Sequence, residues 1–165
     1  MRRIDRVLKK INSDIDGKVI LEVACGCGEF SIAAADTARA VHCIDLDERR
    51  LMTDARENER IHFACMDARQ MKFPDESFDT IVIYNAIGHL TGIIPHVVKE
   101  CLRVLKSDGS IYIISSFKMD HITIDTELFP YLKLFNMKFE TVAEPIYRYV
   151  RIAKQRNNLV QECEK

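Results

Sequence analysis

Position 22 holds an acid where an acid is costly. Glu22 lies inside the apolar run 18–24 (KVILEVA). A carboxylate carried into the interior by a strand must be paired or solvated by a bound group, so it points to ligand chemistry rather than to packing. The run leads directly into Cys25-Gly26-Cys27-Gly28-Glu29. Glycines in such a turn let the backbone approach a ligand, and the start of the following helix offers free N–H groups. Two further acids stand at matching places. Asp45 ends the segment 40–45 (AVHCID), where a carboxylate could accept hydrogen bonds from a ribose diol, and Asp67, in Met66-Asp67-Ala68, could receive an adenine amino group. Either could instead serve only a turn, but three acids at the mouths of three successive strands favour the ligand role for both.

The elements that must hold these residues follow from periodicity. Ile4, Val7, Leu8 and Ile11 share one helical face, so 2–13 is predicted as an amphipathic helix. Strands are predicted over 18–24, 40–45, 60–66, 78–84 and 110–115. Between them come helices over 30–39, 47–58 with Asp47 as its cap, and 94–106, with a turn at 107–109. The segment 116–124 reads as a loop able to form a small lid, and 125–137 as a helix despite Pro130. Strand-like segments 139–146 and 147–155 are joined too closely to be parallel. The expected fold is therefore α/β, a Rossmann-like seven-stranded, mostly parallel sheet with helices on both faces and the last strand antiparallel. Such sheets bind ligands beyond the carboxyl ends of their strands.

Composition bounds the partners. The chain has 165 residues, with 24 Lys and Arg against 25 Asp and Glu. That balance gives no domain-wide argument for nucleic acid or anionic membrane. The basic stretches around Arg2, Arg3, Arg6, Lys9 and Lys10, and around Arg148, Arg151, Lys154 and Arg156, read as solvated faces. Apolar runs are strand-sized and the start carries no apolar leader, so a cytoplasmic protein is expected. One domain over 1–156 with a polar tail over 157–165 accounts for the length. Cys25, Cys27, Cys43, Cys65, Cys101 and Cys163 form no CxxC pair. They read as small apolar fillers, and no metal is expected at the strand ends that carry His42 and His62. Met52, Met66 and Met71 read as core.

With these motifs in order, the sequence resembles the class I S-adenosylmethionine-dependent methyltransferases, as a small member of the type 11/25 kind. ILEVACGCGEF looks like their first motif, with Ala24 where many members carry a glycine. VHCIDLDERRL is similar to their second strand and its acid, CMDARQMKFPDESFDTIVIYNAIGHL to their third and fourth strands, and ECLRVLKSDGSIYII to the helix, turn and fifth strand. The resemblance implies that Ala24, Cys25, Gly26 and Gly28 wrap the methionine part of S-adenosylmethionine and that Glu22 helps to place its amino group. Asp45 would hold the ribose, Leu46 would pack on the adenine, and Asp67 and Ala68 would contact its edge. Tyr84 and Asn85 would lie near the reactive methyl.

The acceptor side is less legible. His89 is the leading candidate for a general base or acceptor orienter, with capping or packing as its other reading; Tyr84 and His121 follow. The acceptor is expected to be an unidentified small molecule, with a macromolecule reached through a partner as the alternative. Only the first helix and residues 115–130 are left to cover the site, so a homodimer or the acceptor itself would close it. A silent S-adenosylmethionine-binding module remains a second reading. A nicotinamide-dependent oxidoreductase is a distant third, because the third glycine of its fingerprint would fall at Ser31.

Overall fold

The computed structural model describes residues 2–154. Seven strands form one sheet: β1 (Val19–Val23), β2 (Ala40–Asp45), β3 (Ile61–Cys65), β4 (Phe78–Tyr84), β5 (Leu105–Ser115), β6 (Phe139–Ala143) and β7 (Arg148–Ala153). Their order is β3-β2-β1-β4-β5-β7-β6. Strands β1 to β5 pair in parallel, and β7 runs antiparallel to both β5 and β6. The register sets Val23 beside Ile44, Asp45 beside Cys65 and Tyr84 beside Ile114, which brings the tips of the parallel strands to one level.

The two-residue period of the strands sorts the core into two layers. Leu21, Ile81, Ile83, Ile111 and Ile113 face α4 (Ile94–Val104), whose Val97, Val98, Cys101 and Leu102 point inward. Their neighbours Ile20, Val41, Cys43, Val82 and Ile114 face α1 (Arg3–Lys10) and α2 (Glu29–Ala34). Phe30 of α2 is fully buried there, a burial worth on the order of 2–3 kcal/mol. Both faces of the sheet are thus covered, as parallel pairing requires.

The expected fold class holds, and several elements differ in extent. The helix predicted over 47–58 is broken. Asp47 does cap, accepting from the Arg49 N–H at 3.0 Å, but it caps a 3₁₀ turn at Glu48–Arg50. Leu51 and Met52 then run extended before α3 (Thr53–Arg56). The Met52 N–H goes to the Cys27 carbonyl at 3.1 Å, so the glycine turn takes the backbone that a continuous helix would have used. The helix read over 94–106 stops at Val104, and the turn expected at 107–109 lies inside β5 as an irregularity between Phe78 and Thr80. A Cβ at Gly109 would meet the Asp79 carbonyl at 2.7 Å, so glycine there serves close backbone packing.

The loop expected over 116–124 is mostly helix. Helix α5 (Lys118–Thr123) passes through a π-helical turn, Ile124–Leu128, into α6 (Phe129–Leu134). Pro130 sits in the first turn of α6. A proline within a helix removes a backbone donor and crowds the carbonyl four residues back, and the wide turn before it accommodates both. The tail expected over 157–165 lies outside the described residues. Among those described, no helix is long and apolar enough to cross a membrane.

Candidate functional site

A cavity of about 490 Å³ opens at the carboxyl ends of β1 to β4. It is lined by Glu22, Ala24, Cys25, Gly26, Asp45, Leu46, Asp67, Ala68, Tyr84, Asn85 and His89. These are the residues singled out by sequence, with one exception. Gly28 does not border the cavity. Its φ of +82° begins α2, and a Cβ on it would meet Leu51 Cδ1 at 3.0 Å and Ala55 Cβ at 3.3 Å. Its lack of a side chain serves the packing of α2 against Leu51 and Ala55. Gly26 is the glycine at the cavity, with φ +54° and the Arg50 guanidinium 3.5 Å from where its Cβ would be.

The glycine turn is held by the acids around it. Asp45 accepts from the Gly26 N–H at 2.8 Å through one oxygen and from the Asp47 N–H at 3.1 Å through the other. It thus both edges the cavity and ties the turn to the β2 tip. Glu22 is 1% exposed. Both protein hydrogen bonds to its carboxylate fall on Oε2, from the Ser31 N–H at 3.0 Å and the Ser31 hydroxyl. Burial pushes its pKa up to about 8, against the lowering effect of Ser31. Asp67 is clamped by the Arg69 guanidinium, with Nη2 at 2.6 Å from Oδ2, and accepts the Arg69 N–H at 2.8 Å. Arg69 holds its carboxyl below the usual range. The turn reading and the cavity placement of Asp67 are therefore both true.

Beyond β4, Tyr84 is buried with its hydroxyl 2.8 Å from that of Tyr147, and burial drives its pKa upward. Asn85 takes a left-handed φ of 50° and accepts from the Ser116 N–H at 2.8 Å. His89 lies exposed in a 3₁₀ turn, Ile87–Leu90. This turn is fastened to α5 and the π turn. The Gly88 N–H donates to Asp120 at 2.8 Å, the Thr91 and Thr123 hydroxyls meet at 3.0 Å, and the Gly92 N–H donates to Glu127 at 2.7 Å. His121 points elsewhere, its Nε2 3.1 Å from the Ser115 carbonyl, and it does not line the cavity.

A family model described as a methyltransferase domain matches residues 20–109, more than half of the chain. The chain belongs to this methyltransferase family. Among its relatives are a probable S-adenosylmethionine-dependent methyltransferase of Mycolicibacterium smegmatis, 30% identical over 115 residues, and a demethylmenaquinone methyltransferase of Clavibacter sepedonicus, 34% identical over 103. These alignments cover 70% and 60% of this chain but only 44% and 41% of the relatives, so the chain spans less than half of their length. In fold it matches a SAM dependent methyltransferase from Aquifex aeolicus, with a TM-score of 0.76, 17% identity, and coverage of 91% of this chain and 88% of the other.

S-adenosylmethionine is the cofactor that membership brings, and the donor set in the methyltransferase cavity fits it. Among the described residues, Glu22 finds hydrogen-bond partners for one oxygen only, which leaves the other a place for an ammonium group. Asp45 is a carboxylate with acceptor capacity beyond the two N–H groups it holds. Ile44, Leu46, Met66 and Ala68 supply apolar surface for an adenine. Among the described residues, no group of three or more His, Cys, Asp or Glu is placed to hold a metal.

Sequence reasoning missed Glu29, Ile44, Arg50, Met66, Ala86, Leu90, Ile93 and Phe117 on the cavity wall. Met66 and Ala86 adjoin named residues. Arg50 was hidden inside an expected continuous helix. Phe117 carried one available signal, a large apolar side chain in a segment read as loop.

Proposed function

We propose that this chain binds S-adenosylmethionine and transfers its methyl group to an uncharged small-molecule acceptor, in the cytoplasm. One observation carries the reading: a single cavity gathers Glu22, the Gly26 turn, Asp45, Asp67 and the Tyr84-Asn85 tip in the order of the strands that bear them. In this reading Ala24, Cys25 and Gly26 follow the methionine part and Asp45 holds the ribose hydroxyls. Leu46 covers the adenine, whose edge meets Asp67 and Ala68. Burial raises the Glu22 pKa in the free protein, and an ammonium group beside it favours the ionised form.

The bound sulfonium supplies the driving force, because its sulfur leaves as a neutral thioether. The chain's own part is to align the acceptor with the methyl and to exclude water. When bound, S-adenosylmethionine would supply a methyl that the acceptor's lone pair takes as the carbon–sulfur bond breaks, and His89 or water would receive the acceptor's proton. The acceptor closes the mouth.

Calorimetry with S-adenosylhomocysteine tests the reading. The wild-type chain should bind it saturably, and Asp45→Ala should weaken binding by roughly tenfold or more, the loss of a hydrogen-bonded charge worth about 1.5–3 kcal/mol. No saturable heat in the wild type, or unchanged affinity in a folded Asp45→Ala variant, would overturn it.

A further inference from the structure

The lining of the cavity changes along the sheet. On the β3, β2 and β1 side it carries Asp67, Asp45, Arg50, Glu22 and Glu29. Beyond Tyr84 and Asn85 it is made by Ala86, His89, Leu90, Ile93 and Phe117. None of these five lining residues is a carboxylate, lysine or arginine. Phe117 continues outward into an exposed apolar patch: it is 58% exposed, Met119 64% and Ile122 53%. Met119 lies against the wall itself, its Cγ 3.2 Å from where a Cβ on Gly88 would stand. Ile122 follows three residues later on α5, on the same side of the helix. The Asp120, Thr123 and Glu127 hydrogen bonds hold this wall in place before anything binds.

A charged acceptor entering here would exchange water for a lining in which His89 is the one polar side chain beside Ala86, Leu90, Ile93 and Phe117, which is costly. Hydrocarbon entering the same place leaves water at a gain. We infer that the acceptor has a hydrocarbon body that lies on Phe117, Met119 and Ile122 while its nucleophilic atom passes Leu90 and Ile93 toward the methyl. The inference rests on the cofactor reading, which fills the charged end and leaves the apolar end to the acceptor. Phe117 belongs both to these exposed apolar side chains and to the cavity lining, and three side chains offer far less than the roughly 800 Å² per partner that a stable dimer buries. Its occupant is therefore one acceptor molecule.

The test uses N-phenyl-naphthylamine, an uncharged fluorescent arylamine that is hydrocarbon but for one N–H, with S-adenosylhomocysteine at saturation. The probe should bind saturably, and its sulfonated analogue, anilinonaphthalene sulfonate, should bind roughly tenfold more weakly. A Met119→Ser/Ile122→Ser double variant, both positions being exposed, should weaken the probe by about fivefold or more while S-adenosylhomocysteine affinity stays within about twofold. Absence of probe binding, equal binding by the double variant, or equal binding of the sulfonate would overturn the inference and leave the cofactor reading standing. Failure of S-adenosylhomocysteine itself to bind overturns both. A dimer in sedimentation that the double variant dissolves, or flotation with phosphatidylcholine vesicles that it abolishes, would assign the patch to another occupant and overturn the inference too.

Discussion

Ala24 has a φ of 57°, a left-handed conformation that costs a residue with a Cβ roughly 1–2 kcal/mol. That strain is the physical reason a glycine suits this place in the motif. Ala24→Gly should therefore raise stability by up to about 1 kcal/mol, after the entropy that glycine adds to the unfolded chain. Urea unfolding checks this, and a loss of stability would mean that the methyl group packs more productively than its strain costs. His89 presents a different question, because it stands exposed at the apolar end of the cavity. His89→Ala should lower kcat by roughly tenfold or more while leaving S-adenosylhomocysteine affinity unchanged. Full turnover in the variant removes the imidazole from the chemistry and leaves the acceptor's proton to water. Sequence singled out both residues, but it could not say that one was strained and the other free of the core.

At the scale of elements, the glycine turn and the two helices around it act as one unit. Gly26 serves the cavity, whereas Gly28 serves the contact of α2 with Leu51 and Ala55 of the following segment. Gly28→Ala should cost about 2–3 kcal/mol, combining the left-handed φ with overpacking against Leu51. Thermal unfolding measures it, and a cost below about 0.5 kcal/mol would show that the segment yields easily. Strands β2 and β4 fall where expected, because a buried parallel strand writes a continuous branched run, whereas β5 starts five residues earlier than its apolar run. The helices were less legible. A charged stretch such as 47–58 looks uniformly helical until Met52 is claimed by the Cys27 carbonyl, and α5 begins where local propensity suggested a loop.

For the whole molecule, the acids divide into two groups with opposite effects on stability. Asp5, Asp47, Asp67, Asp79, Glu100 and Asp125 are held below their usual range, Asp79 by Lys106 and Val19 against its burial and the others by hydrogen bonds to an arginine. Their contribution is present above the unfolded value and lost as pH falls through the folded one. Glu22 is the reverse case, raised from 4.5 to about 8 by burial. The native state then binds the extra proton, so stability falls as pH rises from about 4.5 to about 8, by several kcal/mol at roughly 1.4 per unit. Maximum stability should lie at mildly acidic pH, and Glu22→Gln should flatten the decline across that window in denaturant titrations at several pH values. An equal slope in the variant would show that Glu22 ionises with little penalty. The sequence alone determined the alternation of strands and helices, their order, and the placing of Glu22, Asp45 and Asp67 at strand tips, because hydrophobic period and turn chemistry are local properties of the chain. Only the tertiary structure decided that a side chain on Gly28 would press on Leu51 and Ala55, that Ser31 meets one oxygen of Glu22, and that Leu90, Ile93 and Phe117 make an apolar end to the cavity. Those outcomes depend on contacts such as Asp120 with Gly88, 32 positions apart, and the docking of distant elements leaves no periodic trace in the residues that make it.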